Sequence, residues 1–212
     1  LSDLGDAEGR LLFNVGFDAR HYLPIYRNMI WAVRAAGDFS WGDQKVVYYL
    51  GGVDNWFSPQ FNKAAQARPD RTDYSYQSLA VNLRGFKQNV SNGNNAFVIN
   101  SEVRVPVFST FFNKPINNAF LRNFQLVQFF DLGAAWTGNP FDIERPGVVY
   151  SNPPDPVSIK IKAGGIGPFA GGYGLGARST LLGYFLRLDA AWEMKGLFRG
   201  KPMWYFAMGF DF

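Results

Sequence analysis

The chain has no cysteine and a single histidine, His21. The first absence excludes a disulfide framework, a zinc–thiolate site and a thiol nucleophile. The second leaves any Ser/His/Asp triad only His21, which stands at a turn beside Tyr22, a poor place for a catalytic base. No run of about 18 apolar residues occurs, so no transmembrane helix is expected. Lys and Arg number 21 against 17 Asp and Glu, a net charge of +4, and they form no stripe. Nucleic acid is therefore not an expected partner. No signal peptide opens the chain, and Leu1–Asp6 reads as loop at an expected processing boundary.

What is present is aromatic. Of 212 residues, 21 are Phe, 10 Tyr and 6 Trp, yet the mean hydropathy is only −0.13. That combination fits strands that are apolar on alternate residues only. The alternation can be read directly. Leu11, Phe13, Val15, Phe17 and Ala19 oppose Asn14, Gly16, Asp18 and Arg20 within Arg10–Tyr22. Leu23–Arg27 reads as a turn broken by Pro24. Met29, Trp31, Val33, Ala35 and Phe39 oppose Asn28, Arg34 and Asp38. Further strands are expected over 94–107, 124–136, 170–181, 184–193 and 201–212. Lys45–Leu50 reads as an extension of the second strand. Nearly every charge falls on the parity opposite the large apolar side chains. Connections alternate between short (23–27, 108–118, 182–183) and long (about 40–93 and 138–169), with 196–200 short on the long side. These features predict an all-β protein, an antiparallel transmembrane β-barrel with long external loops, over a soluble sandwich or a lipocalin-like barrel.

The parity argument also selects a site. Glu102, on the segment Ala96, Val98, Asn100, Glu102, Arg104, and Asp131, on the next strand, both face the interior. Enclosed acids need a cationic partner. Arg84, in the long loop at Leu83-Arg84-Gly85-Phe86, is the candidate, because a guanidinium can fork onto two carboxylates.

About seven crossings are predicted, although bacterial single-chain barrels have an even number and an open edge in lipid is costly. The chain is expected to be the C-terminal part of a larger barrel. The rival is that Lys45–Val53 forms an eighth strand and closes a small one.

Four stretches, in order, resemble the surface-antigen superfamily of outer-membrane assembly barrels, the BamA, TamA and FhaC type. Tyr49-Leu50-Gly51-Gly52 precedes Leu83-Arg84-Gly85-Phe86, similar to the family's (V/L)RG(F/Y) loop motif. Asn100–Pro106 resembles its ExRxP strand, and Phe129–Trp136 its FxDxGxxW strand. Gly172–Arg178 and the terminal Phe212 complete the set. The resemblance implies a barrel of about sixteen strands, with residues 1–212 as its C-terminal part, in a Gram-negative outer membrane. It implies that the Arg84 loop folds into the lumen, where Arg84 meets Asp131 with Glu102 nearby. Its implied function is assembly of β-barrel proteins into the membrane, or polypeptide translocation, with no enzyme activity and no cofactor. The partners implied are outer-membrane lipids and lipopolysaccharide, the remaining strands and a periplasmic domain, and β-barrel clients or accessory lipoproteins. One departure stands out: Trp56–Gln77 is inserted between the glycine pair and the arginine motif, and no periplasmic POTRA repeat is present.

Trp204, Phe206, Met208, Phe210 and Phe212 alternate on the last strand, first as a lipid-facing surface and also as a C-terminal assembly signal or gate. Asp189 and Glu193 share a parity but lie about 13 Å apart by strand rise, too far for a retaining carboxylate pair. They read as interior charges opposing Arg178 and Arg187. The glycine-rich run 164–176 lacks the Lys-Ser/Thr of a phosphate loop. Asp142, Glu144 and Asp155 lack regular calcium-ligand spacing, so no metal is expected. The competing functional class is a passive barrel serving as a porin, an adhesin or the anchor of a fused domain.

Overall fold

The structure is a computed structural model, and it describes residues 11–62, 74–112, 115–138, 148–151, 158–161, 169–194 and 200–210. Its elements, in chain order, are β1 (Leu12–Tyr26), β2 (Met29–Gly42), β3 (Lys45–Leu50), β4 (Tyr74–Val81), β5 (Ser91–Gly93), β6 (Asn95–Pro106), α1 (Val107–Phe111), α2 (Ala119–Arg122), β7 (Gln125–Trp136), β8 (Val148–Ser151), β9 (Ser158–Ile161), β10 (Ala170–Leu181), β11 (Tyr184–Glu193) and β12 (Met203–Phe210). Seven of the strands make one antiparallel sheet in the order β1-β2-β6-β7-β10-β11-β12. Each pairs with the sheet strand before it in sequence, so the sheet is a meander with insertions. It is open, with β1 and β12 at its two edges.

Hairpin chemistry explains the tight connections. β10 and β11 are joined by Leu182 and Gly183, both at positive φ (52° and 82°), the twist that a two-residue hairpin loop requires. The first hairpin departs from the sequence reading. β1 does not stop at Leu23 but continues through Pro24 to Tyr26, and the turn is Arg27–Asn28 with Arg27 at φ 48°. Pro24 is tolerated because the register shifts between Pro24 and Tyr26, an irregularity at which a residue without an N–H fits. Between β6 and β7 the connection holds two short helices. α2 is started by Asn118, whose side-chain oxygen accepts from the amides of Phe120 and Leu121.

The long segment 43–94 is the larger correction. Lys45–Leu50 neither extends β2 nor adds an eighth strand to the main sheet. β3 stands at the centre of a separate three-stranded sheet, parallel to β4 and antiparallel to β5. Val46, Tyr48 and Leu50 of β3 pack with Leu83 and Phe86 on Ala36, Ala96, Val98, Ala135 and Ala170 of the main sheet. Small residues on the sheet let this layer sit close. The apolar run of β3 is therefore buried against an inner face, which is why it lacks the alternation of its neighbours. β8 and β9 pair as a separate antiparallel hairpin within the second long connection.

The two faces of the main sheet differ in an unusual sense. On one face Asp131, Asp189, Glu102, Arg178 and Tyr205 are buried. On the other, Leu126, Phe130, Leu175, Leu188, Trp204, Phe206 and Met208 are exposed, between 42% and 59%. Charge lies inside and large apolar side chains outside, the reverse of a water-soluble layer.

Candidate functional site

Arg84 stands at the tip of the loop that returns from β4. The insertion ahead of it does not separate the motif from the glycine pair in space. Gly52 bridges to Leu83, and Val90 donates its N–H to the Leu50 carbonyl at 2.8 Å. Gly51-Gly52 lies against 83–90, as it would if the two motifs were joined by a short loop. Leu83 (0% exposed) and Phe86 (6%) anchor either side of the arginine in the apolar layer.

Between those anchors the loop backbone comes very close to the sheet. Gly85, at φ 98°, lies against the Trp192 carbonyl, where a Cβ would stand 2.9 Å from the oxygen. A Cβ on Gly172 of β10 would overlap the Arg84 carbonyl. Tyr205 of β12 fixes the same turn. Its hydroxyl accepts from the Gly85 N–H at 2.9 Å and donates to the Phe86 carbonyl at 2.6 Å.

The arginine side chain, 3% exposed, then meets three carboxylates. Its Nε and Nη2 donate to the two oxygens of Asp131 at 2.6 and 2.7 Å, and its backbone N–H adds a third bond to Asp131 at 3.1 Å. Nη1 donates to Glu102 Oε1 at 2.7 Å and lies 3.7 Å from Asp189 Oδ2. The guanidinium carbon stands 3.7 Å from the Phe129 ring centroid. Burial works against its charge, but Asp131, Glu102 and Asp189 outweigh that and hold Arg84 protonated above its ordinary range.

Glu102 is the hub of a wider cluster. Arg178 of β10 grips both its oxygens at 2.7 and 2.9 Å, and Arg104 donates to Oε2 at 2.8 and 2.9 Å. Arg187 of β11 donates to Asp189 at 2.6 Å. Four guanidiniums thus face three carboxylates drawn from β6, β7, β10, β11 and the loop. Sequence reasoning named Arg84, Asp131 and Glu102, and the structure brings them together. It paired Arg178 with the charges of β11, whereas Arg178 binds Glu102. It missed Tyr205 and Phe129. The parity of Tyr205, opposite Trp204 and Phe206, was the signal that it faces this site.

Of the last-strand residues, Trp204, Phe206 and Met208 are exposed on the outer face at 59%, 42% and 44%. The Phe210 side chain and Phe212 lie outside the described residues. Among the described residues no group of three or more His, Cys, Asp or Glu side chains is arranged to hold a metal ion. The cluster fixes a loop to a sheet through charges that cannot leave one another at low cost.

No family model and no curated protein matches the sequence. Among solved structures the chain is similar to CdiB from Acinetobacter baumannii, at 14% identity and a TM-score of 0.44 over 94% of this chain and 26% of that one.

Proposed function

We propose that this chain is part of an outer-membrane β-barrel of the assembly and translocation type, in which the Arg84 loop is locked on the lumenal face of the wall. The observation that carries the reading is the inverted sheet, with a paired ionic cluster on the covered face and a band of Leu, Phe, Trp and Met on the open one. A sheet of that kind is stable where the open face meets lipid and the covered face meets a wet or protein-filled interior. Strand lengths of 8 to 15 residues suit a tilted crossing. The chain would sit in the outer membrane of a Gram-negative bacterium, with lipid and lipopolysaccharide outside. Further strands would continue the wall, and a periplasmic domain would receive clients. The sequence motifs resembling the BamA, TamA and FhaC type fall on the residues that make the lock.

The filled inner face favours this over a passive pore. A porin needs a clear channel, whereas here β3, Leu83 and Phe86 pack on residues of β2, β6, β7 and β10 with buried apolar contacts. The work of such a protein breaks no bond in its substrate. The Arg84 lock would hold the loop in one position while a polypeptide is inserted into the membrane or passed across it. Depletion of the protein, followed by quantification of the outer-membrane proteome, tests this. Many β-barrel proteins should fall if it serves general assembly, and one secreted polypeptide should be retained if it is a dedicated translocator. An unchanged outer membrane and unchanged secretion would return the chain to the passive class.

A further inference from the structure

Beside the Arg84 lock the inner face holds a cavity of about 120 Å³, well above the ~10–15 Å³ that one water needs. Its lining is cationic. Arg20, Arg34, Arg84, Arg104 and Arg187 line it, with Glu102 as the single acid among the described residues. Strand register brings part of this set together. Arg20 and Arg34 are directly paired across β1 and β2, and Arg34 faces Asn100 of β6. Like charges placed opposite each other repel. Asp18 holds the pair, accepting from Arg20 at 2.8 and 3.0 Å and from Arg34 at 2.8 to 3.1 Å. Yet the arginines are only half used. Arg34 gives Nε and Nη2 to Asp18, Arg104 gives Nε and Nη2 to Glu102, and Arg187 gives Nε to Asp189. Nη1 of Arg34, Nη1 of Arg104 and both terminal nitrogens of Arg187 donate to no described residue. Positive charge is also in excess. With Arg178, six arginines meet four carboxylates, Asp18, Glu102, Asp131 and Asp189. Asp38, further along β2, lines a separate cavity with Asp18 and Arg34 and makes no ion pair with any described residue. The half-used arginines stand on β2, β6 and β11, each paired on both sides, so neither open edge of the sheet enters the argument.

We propose that this cavity is an oxyanion site that reinforces the Arg84 lock. Its ligand is a carboxylate or phosphate group, taken between the free edges of Arg34, Arg104 and Arg187. Guanidinium forks match the geometry of both groups, and such charge-assisted bonds are about twice as strong as neutral ones. The occupant uses donors that Asp18, Glu102 and Asp189 leave unused, so it offsets the excess charge without drawing any arginine out of the lock. Arg104 and Arg187 are then held from two sides, and with them Glu102 and Asp189, which both face Arg84. Asn100, buried in the same lining, has its Oδ1 without a partner, and an N–H or O–H carried beside the oxyanion would satisfy it. Two sources share this chemistry: free phosphate, and an acidic side chain of a polypeptide in the lumen. The second rests on the function proposed above, whereas the site itself rests on the arginines alone.

The test uses the full-length protein in lipid nanodiscs, which leave both ends of the wall open to solution. The probes are sodium phosphate and a hexaglutamate peptide, with hexaglutamine as the uncharged control, all at one ionic strength so that screening is constant. Calorimetric titration reads anion affinity, and the rate of proteolysis at Lys87 reads the lock. Saturating phosphate should slow that cleavage about tenfold, because a ligand of the locked state stabilises it. Arg34→Gln should weaken phosphate binding about tenfold. Arg34→Lys, which keeps the charge but not the fork, should weaken it less. Arg34→Gln leaves every ion pair of Arg84 in place, so unchanged cleavage without anion shows that the variant is folded. Arg122→Gln, on exposed α2, should bind as the parent does. Equal phosphate affinity in Arg34→Gln and the parent, or cleavage indifferent to phosphate, overturns the site. The peptide arm separates the sources. Slowing by hexaglutamate and not by hexaglutamine supports a polypeptide carboxylate, while phosphate acting alone keeps the site and overturns its link to a passing polypeptide. A spin label on Trp204→Cys that meets water instead of lipid overturns the membrane reading and leaves the phosphate result standing.

Discussion

The carbonyl of Arg84 occupies the space that a side chain on Gly172 would fill. The loop and β10 meet there backbone to backbone, and this closeness brings the guanidinium down to Asp131 and Glu102 instead of leaving it above the sheet. Gly172→Ala is therefore expected to lift the loop without removing any charge. The cost of overpacking a tight contact is about 1–3 kcal/mol. Limited proteolysis checks it: cleavage at Arg84 or Lys87 should become fast in the variant, while the main sheet keeps its strand signal by circular dichroism.

Removing the charge itself should cost more. Arg84→Ala leaves Asp131, at 0% exposure, without its fork, and breaking one side of a buried pair costs about 3–5 kcal/mol. The exposed Asp18–Arg20 pair on β1 sets the scale for comparison, since such surface pairs contribute about 0–1 kcal/mol. Arg84→Lys should behave almost as badly as Arg84→Ala, because an ammonium cannot hold both oxygens of Asp131 and Glu102 together. A double change, Arg84→Met with Asp131→Leu, should lose much less than the two single changes added, because no orphan charge remains. Denaturant unfolding in lipid gives these values. Equal losses for Arg84→Ala and for Arg20→Ala would mean that the cluster is solvated and holds nothing.

Tyr205 makes a separable contribution. Tyr205→Phe keeps the ring against Trp56 and deletes only the hydroxyl shared by Gly85 and Phe86. A buried donor or acceptor left without a partner costs about 1–3 kcal/mol. Amide exchange at Gly85 should accelerate by roughly tenfold or more, since about 1.4 kcal/mol is one decade. Exchange in β6 and β7 should stay near that of the parent.

Much of this arrangement is written in side-chain parity. Tyr184, Leu186 and Leu188 against Arg187 and Asp189 leave a two-residue repeat no other geometry to satisfy, so β11 begins and ends where the pattern does. Glu102 and Asp131 could be placed on one face for the same reason, and the (V/L)RG(F/Y)-like stretch supplied the cation. The loop was harder to read. β3 is buried as a layer of its own, so its residues lack alternation and merge with those of β2 in sequence. The β1 turn misled because proline usually interrupts a strand, and here Pro24 sits at a register shift where a missing N–H is tolerated. Trp56 and Phe57, which meet Ala207 and Phe206 of β12, gave no local signal at all. Their place comes from pairing with residues about 150 positions later, a separation at which loop closure, not propensity, decides.

The two faces of the sheet can be told apart by one substitution. Leu175, near the middle of β10, is 55% exposed and shares the outer face with Leu126, Phe130 and Leu188. In water an exposed leucine changed to lysine shifts stability by no more than about 0.5 kcal/mol. At the midplane of a bilayer the same change on a lipid-facing strand costs about 2–4 kcal/mol, because the ammonium has no water and no partner there. Leu175→Lys is expected to destabilise the protein by that larger amount in vesicles, and Leu175→Ala by less. A depth series supports the assignment further: Trp204→Lys, near the start of β12, should cost less than Leu175→Lys if it sits closer to the interface. Were Leu175→Lys neutral in vesicles, this apolar band would be facing water, and the buried Arg84–Asp131 pair would have to be explained as the core of a soluble sheet.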